Sequence, residues 1–173
     1  MHHLIALGHT KIAYLGGPKN SWSDAQRRKG LAKSAREFPF TLIDIGATAP
    51  TQAGGYSAAD LLVASEASAA ICFNDLVAVG VLERLRARNI RVPEEFSVVG
   101  IDNIAVGTAV APTLTSVGVS QQHLGREAID LLLRKITDGA AHQPHARLVS
   151  MELAVRASSG PLSKQPRLAE SGY

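Results

Sequence analysis

The chain has 173 residues, of which 46% are hydrophobic and 19% charged, so its composition is that of a folded domain and excludes a disordered chain. Its longest apolar runs, at residues 69–73 and 77–82, are too short to cross a bilayer, and no charged-then-apolar signal segment opens the sequence. The net charge is only +3 despite a pI near 9.2, which gives little support for nucleic-acid binding. We therefore expect one cytoplasmic domain.

Short β-like runs alternate with longer helical segments from the start of the chain to Ile101. The predicted helices cover residues 2–7, 21–37, 51–64 and 75–88, and the predicted strands cover residues 11–15, 41–45, 69–73 and 96–101. Gly8 suits a left-handed cap after the first helix. Because each parallel crossover requires a helix, this order predicts an α/β fold with a parallel sheet that is doubly wound, with helices on both faces.

The pattern changes after Ile101. A helix is predicted over residues 121–138, with Ser120 as its N-cap, Gly139 as its C-cap and a strongly apolar side. Apolar and polar residues alternate from residue 149 to 155, which predicts a half-buried strand. Residues 159–173 show no periodicity and are predicted to be a disordered tail.

Polar side chains follow the predicted strands, at the edge where an open parallel sheet places its ligand crevice. They are Asn20, Ser21, Ser23 and Asp24 after the first strand, Asn74 and Asp75 after the third, and Asp102 and Asn103 after the fourth. Ser23 and Arg27 are four residues apart, so a helix beginning near Ser21 places both on one face. Carboxylate, amide and guanidinium groups make paired hydrogen bonds to neighbouring hydroxyls, which predicts a polyhydroxylated ligand such as a sugar. The predicted ligand-binding residues are Ser21, Ser23, Arg27, Asn74 and Asp102.

Several of these residues also have a purely structural interpretation. Ser21 and Ser23 suit a helix cap, and we predict that Asp75 caps the helix that follows it. The basic cluster is predicted to be a solvated helix face rather than a phosphate patch; it consists of Arg27, Arg28, Lys29, Lys33 and Arg36. Trp22 has two interpretations, as a core or rim residue or as a residue that lines the cleft. Cys72 lies in an apolar run and is predicted to be a small buried core residue.

Six segments resemble the LacI/GalR family of transcription regulators, in the same order along the chain. They are LIALGHTKIA at residues 4–13, GP at 17–18 with RRKGL at 27–31, FND at 73–75, VPEEFSVVGIDN at 92–103, PTLTSV at 112–117 and LAVRAS at 153–158. The piece from Pro93 to Asp102 is the most specific. The resemblance covers about residues 3–160.

The resemblance implies a two-lobed, type I periplasmic-binding-protein-like sensor that follows a DNA-binding helix-turn-helix head and works as a homodimer. Ligand binding then closes the lobes and alters operator affinity. It implies that the head, a hinge helix and most of the first lobe lie outside these 173 residues. Residues 1–118 would form the second lobe, incomplete at its start, residues 119–148 would belong to the first lobe, and residues 149–158 would return as a strand.

The family pattern also implies roles for individual residues. Ser21 and Ser23 match polar residues after the glycine-proline turn, and Arg27 matches a ligand-clasping arginine. Asn74 and Asp102 match hydroxyl-binding positions. We further expect Trp22 and Gln121 to line the cleft. Val119 stands where some members present a polar ligand contact, so the identity of the ligand stays open.

Two other classes compete with a regulator. A sugar-binding transport protein shares the fold but requires an export signal. A small α/β enzyme is disfavoured because the sequence has no nucleophile elbow, no P-loop and no dinucleotide glycine fingerprint. We expect no enzyme activity, no cofactor, no metal site and no membrane partner, and we expect His142 and His145 to be solvated. Because the helix at 121–138 is so apolar, our hypothesis is that this chain alone binds sugar weakly and self-associates.

Overall fold

The computed structural model describes residues 1–138 and 148–162, which contain six helices and six strands. The helices are α1 (His2–Ala6), α2 (Trp22–Glu37), α3 (Gln52–Ala64), α4 (Asp75–Ala87), α5 (Val106–Ala109) and α6 (Gln121–Asp138). The strands are β1 (Lys11–Gly16), β2 (Thr41–Ala47), β3 (Ala69–Cys72), β4 (Ser97–Ile101), β5 (Thr115–Gly118) and β6 (Glu152–Ala154). Gly8 has φ +90°, as its predicted cap position requires. In the described part of the chain, no helix has both the length and the apolar character that a bilayer crossing needs.

The strands form one sheet in the order β2-β1-β3-β4-β5-β6. The pairs from β2 to β5 are parallel, and β6 runs antiparallel to β5, with Leu153 opposite Val117. After β1 the chain forms β2 on one side of it and then crosses back to form β3 on the other side. The strand order therefore reverses at β1, which places a ligand crevice outside the carboxyl ends of β1 and β3.

Both faces of the sheet are buried, because successive residues of a strand point to opposite sides. Ala13 and Leu15 of β1 join a core with α3 and α4, while Ile12 and Tyr14 join a second core with α1 and α2. Cys72 is fully buried in the first core, as predicted. The predicted doubly wound α/β fold is confirmed.

Helices α3 and α4 touch closely because each contributes a glycine at the contact. A Cβ at Gly55 would overlap the carbonyl of Val77, and a Cβ at Gly80 would overlap the carbonyl of Gln52. The two backbones can approach this closely only where no side chain separates them.

The last described residues pack against the amino-terminal ends of β4 and β5. Ser158 is fully buried; its hydroxyl donates to the Val98 carbonyl at 2.6 Å and accepts from the Thr115 amide at 2.8 Å. Leu162 continues the contact, since its amide donates to the Leu7 carbonyl at 2.9 Å. The predicted disordered tail is therefore wrong for residues 159–162, which these long-range hydrogen bonds hold in place; residues 163–173 lie outside the described residues.

His9 joins this segment to the sheet. Its Nε2 lies 3.1 Å from the Gly160 carbonyl, which can only accept, so Nε2 carries the proton. Its Nδ1 then accepts from the Ser68 hydroxyl at 2.8 Å. Burial lowers the pKa of His9 and favours this neutral ring.

The region after β5 differs most from its prediction. The predicted half-buried strand at residues 149–155 is reduced to β6, and Met151, Leu153 and Val155 are exposed because β6 is the last strand in the sheet order. The predicted amphipathic helix is present as α6. Its large apolar side chains, however, are mostly exposed: Leu124, Ile129, Leu132, Leu133 and Ile136. Its predicted cap Gly139 lies outside the described residues.

Candidate functional site

Arg27 and Asp102 meet at the carboxyl edge of the sheet, as predicted. Arg27 projects from α2 and Asp102 follows β4, and Nη2 of the arginine lies 3.3 Å from Oδ1 of the carboxylate. The guanidinium also lies over the ring of Phe73, with its Cζ 4.5 Å from the ring centroid. Its Nη1 is buried and has no hydrogen-bond partner in the described part of the chain. The pair therefore presents a carboxylate that is still partly exposed and, behind it, a buried guanidinium NH2 group whose hydrogen bonds are unsatisfied among the described residues.

The glycine turn after β1 makes room for these side chains. A Cβ at Gly17 would overlap the ring of Phe73, and one at Gly16 would overlap the guanidinium of Arg28. The Gly16-Gly17 pair thus lets the ring that supports Arg27 lie directly against the backbone.

The start of α2 carries both predicted serines. Ser21 is the N-cap, because its hydroxyl accepts from the Asp24 amide at 3.2 Å. The hydroxyls of Ser21 and Ser23 are 3.0 Å apart. The cap role weighed for Ser21 is confirmed, and a ligand role for either serine stays a prediction.

Asp24 connects the start of α2 with β1 and the turn that follows it. Its carboxylate is buried and accepts from the Tyr14 hydroxyl at 2.7 Å, the Gly17 amide at 2.8 Å and Arg28 Nε at 2.6 Å. Burial alone would raise the pKa of Asp24, but these three hydrogen bonds outweigh it and lower the pKa overall.

Arg28 is not part of a solvated face, which corrects the prediction for the basic cluster. It donates to Asp24 and, through Nη1, to Asp44 Oδ2 at 2.5 Å, and its guanidinium lies 5.1 Å from the Tyr14 ring centroid. Sequence reasoning missed this role because Asp44 lies on a neighbouring strand and no local pattern connects it with α2. Lys33 keeps the predicted exposed position, with a side chain 76% exposed.

Asn74, and not Asp75, caps the helix after β3. Asn74 is the N-cap of α4: its Oδ1 accepts from the Val77 amide at 2.9 Å, and its Nδ2 donates to the Pro50 carbonyl at 3.3 Å. Both ends of the amide are engaged, so a ligand contact by Asn74 stays a prediction. The predicted cap Asp75 is wrong, since it is the first residue inside α4 and is fully buried.

The backbone at Asp102 is unusual. Asp102 has φ +104° and Asn103 has φ +51°, a left-handed region that aspartate and asparagine tolerate better than other side chains. Burial raises the pKa of the Asp102 carboxyl, and the Arg27 guanidinium offsets only part of that rise.

The remaining predicted residues lie at the surface. Trp22, the first residue of α2, is 76% exposed, and Gln121, the first residue of α6, is also exposed. Their place in a cleft wall stays a prediction. Within residues 1–138 and 148–162, no group of three His, Cys, Asp or Glu side chains could hold a metal ion, and His142 and His145 lie outside the described residues.

Arg27 also borders an apolar cavity of about 320 Å³ between α2 and the sheet. Ile71, Val99, Ile101 and Val117 line its floor. This lining offers few hydrogen bonds to hydroxyl groups, so the polar edge above it is the better candidate for a polyhydroxylated ligand.

Comparisons with known proteins agree with this arrangement. A family model described as a periplasmic binding protein-like domain matches residues 1–159. The chain is 34% identical over 164 residues to the HTH-type transcriptional repressor PurR of Haemophilus influenzae, covering 90% of this chain and 48% of that protein.

Two solved structures are similar over nearly the whole chain. A LacI family transcriptional regulator from Enterococcus faecium with bound ribose superposes with a TM-score of 0.83 at 28% identity, covering 93% of this chain and 60% of that one. A LacI family regulator from Arthrobacter sp. FB24 in complex with lactose has a TM-score of 0.79 at 27% identity, covering 91% and 61%.

The reversed strand order and the polar groups at its carboxyl edge define a ligand-binding domain of the periplasmic-binding-protein type. The chain belongs to the periplasmic binding protein-like family, and within it to the effector-binding domains of LacI/GalR-type transcription regulators. It spans about half the length of the curated relatives that it matches.

Proposed function

We propose that this chain is the sensing part of a transcription regulator and that it binds a small carbohydrate at the Arg27–Asp102 pair. The regulator acts as a homodimer in the cytoplasm, reaches DNA through a helix-turn-helix head outside these residues and catalyses no reaction. The first lobe, of which residues 119–148 form a part, closes over the sugar and changes the affinity for the operator.

The observation that carries this proposal is the Arg27–Asp102 pair itself. A guanidinium and a carboxylate at 3.3 Å present donors and acceptors side by side, which matches two neighbouring hydroxyls of a sugar. The unpartnered Nη1 of Arg27 adds a donor that a ligand oxygen would satisfy. The related regulators with bound ribose and bound lactose support this ligand class.

Chemical-shift mapping with D-ribose and lactose tests the proposal, because it detects binding as weak as millimolar. We expect ribose or lactose to shift the Arg27 side-chain and Asp102 amide resonances. Arg27→Ala should weaken binding at least about tenfold, because a hydrogen bond to a charged group contributes about 1.5–3 kcal/mol.

Lys33→Ala is the matched control, since it removes a cation from the same helix at an exposed position. It should leave binding unchanged. If neither sugar shifts these resonances, or if Arg27→Ala and Lys33→Ala behave alike, the carbohydrate site is wrong.

A further inference from the structure

The turn that carries Asp102 is held by three consecutive backbone amides. The Asp102 amide donates to the Val117 carbonyl at 2.7 Å, the Asn103 amide to the Ser116 hydroxyl at 3.0 Å, and the Ile104 amide to Asp75 Oδ2 at 2.8 Å. The acceptors come from β5 and α4, so two separate elements fix the path of the chain through a region of positive φ.

Asp75 organises this support from inside the protein. It is fully buried, and besides the Ile104 amide it accepts from the Ser116 hydroxyl at 2.5 Å. The Ser116 hydroxyl therefore accepts from the Asn103 amide and donates to Asp75. The Asn103 amide, through Ser116, and the Ile104 amide, directly, both depend on the Asp75 carboxylate. Gly100 leaves room for that carboxylate, because a Cβ there would overlap Asp75 Oδ1.

Arg156 supports the turn from the other side. Its Nη2 donates to Asn103 Oδ1 at 2.6 Å and its Nη1 to the Leu114 carbonyl at 2.5 Å. Its backbone is held separately, because its amide donates to Thr115 Oγ1 at 2.9 Å. The guanidinium therefore joins the Asn103 side chain to the end of the loop before β5.

Gly118 completes the enclosure. A Cβ at this position would overlap the Cβ of Asn103 and approach the Asp102 carbonyl, so the turn lies directly on the backbone of β5. With Asp75, Ser116 and Arg156 around it, the turn is surrounded by contacts that match only one conformation.

We infer that Asp75 and Arg156 are positioning residues: they hold Asp102 and Asn103 at positive φ and thereby aim the Asp102 carboxylate at Arg27. Neither touches the proposed sugar. The inference rests on the proposed function for its effect on ligand binding, whereas its effect on the turn is independent of any ligand. A left-handed backbone is unfavourable for residues with a Cβ, so it persists where surrounding contacts select it.

The test compares Arg156→Met, Asn103→Gly and the double variant by amide hydrogen exchange and by D-ribose titration. Arg156→Met keeps a long apolar stem and removes the donors. We expect exchange at Asn103 and Ile104 to rise about tenfold and ribose binding to weaken about fivefold or more, while exchange in the β1 and β3 amides stays unchanged.

Asn103→Gly distinguishes positioning from general stabilisation. Glycine adopts positive φ without a Cβ penalty and has no side chain for Arg156 to hold. In this background Arg156→Met should change ribose binding by less than about twofold, because its contact with the Asn103 side chain is already absent and only that with the Leu114 carbonyl is lost. Arg88→Met, which removes a guanidinium that pairs with Asp60 of α3, is the control and should leave both readouts unchanged.

Asp75→Asn is a second variant for the same inference. The asparagine side chain keeps one acceptor oxygen where the carboxylate has two, so it cannot accept from both the Ile104 amide and the Ser116 hydroxyl, and exchange at Ile104 or at Asn103 should rise even if the fold is weakened. Uniform faster exchange across the sheet, or an Arg156→Met effect of equal size with and without the Asn103→Gly substitution, would overturn the inference. If neither ribose nor lactose shifts the resonances of the unaltered chain, the proposed function fails, and the exchange pattern still decides whether these residues hold the turn.

Discussion

Asp24 illustrates how a single buried carboxylate sets the position of the site without touching its ligand. It accepts from a hydroxyl, a backbone amide and a guanidinium, and through Gly17 and Arg28 it connects β1 with the first turns of α2. Arg27 follows on the same helix. The register between Arg27 and the sheet therefore depends on Asp24.

We predict that Asp24→Asn destabilises the fold by about 1–3 kcal/mol at pH 7, because one of the two acceptor oxygens becomes an NH2 group and the partly buried Arg28 guanidinium is left with Asp44 alone. Urea unfolding monitored by circular dichroism measures the difference. Asp44→Asn removes the more exposed partner of Arg28 and should cost less than about 1 kcal/mol.

The sign of the pH dependence follows from the lowered pKa of Asp24. A carboxylate whose pKa is lower in the folded state stabilises the fold above its unfolded pKa of 3.8, and this stabilisation is lost as pH falls through the folded pKa. The difference between the unaltered chain and Asp24→Asn should therefore shrink in acid. A difference that grows below pH 3.8 would contradict the assignment.

For individual residues, the sequence predicted that Arg27 and Asp102 lie close together, because the segments that carry them follow different strands at the carboxyl edge of the sheet. It assigned the helix cap to Asp75 instead of Asn74, since either can cap a helix and the choice depends on one residue's backbone angle. Asn74 has φ −146° and is the cap, which leaves Asp75 free to turn inward toward Ser116.

Among the elements, α3 and α4 have the closest backbone contact described above. Gly80→Ala would normally favour a helix by about 1 kcal/mol. Here its methyl group meets the carbonyl of Gln52, so we expect a net loss of about 1–3 kcal/mol and some separation of the two helices.

Gly30→Ala on α2 is the matched control for that contact. No atom lies within 4 Å of an added Cβ at Gly30, so only helix propensity acts and stability should rise by up to about 1 kcal/mol. Thermal unfolding of both variants gives the comparison. Equal effects at the two glycines would mean that the α3–α4 contact does not limit the space at Gly80.

The elements themselves were predictable wherever local pattern and burial agree. Apolar strands such as β3 and β4, and the helices between them, were correctly predicted because both faces of the sheet are covered. The segment at residues 159–162 was not, because its order comes from partners far away in sequence: the Gly160 amide donates to the Ser97 hydroxyl, which is 63 positions earlier. No local periodicity records such a bond.

For the whole molecule, the exposed apolar side of α6 is the feature with the largest consequence. Five large aliphatic side chains on one helix are between 46% and 69% exposed, and burial of the exposed part of each is favourable by about 0.7–2 kcal/mol. We predict that this chain self-associates at micromolar concentration through α6.

Light scattering after size-exclusion chromatography tests this prediction by measuring the molar mass of the chain in solution. Leu132→Glu should shift the chain toward monomers, because a charge on the apolar side opposes its burial. Leu61→Glu on α3 is the matched control, since Leu61 is 58% and Leu132 57% exposed. Monodisperse monomers of the unaltered chain would contradict the prediction, as would equal effects of the two substitutions.

The hydrogen bond between His9 and the Gly160 carbonyl joins positions 151 residues apart. At synthesis rates of about 5–20 residues per second, roughly 8–30 s pass on the ribosome between the appearance of the imidazole and that of its acceptor. During this interval the amino-terminal ends of β1 and β4 are not yet covered by the segment that contains Gly160. A growing chain thus exposes part of this sheet until Gly160 has been synthesised, and such transiently uncovered surface is one reason why nascent chains depend on chaperones.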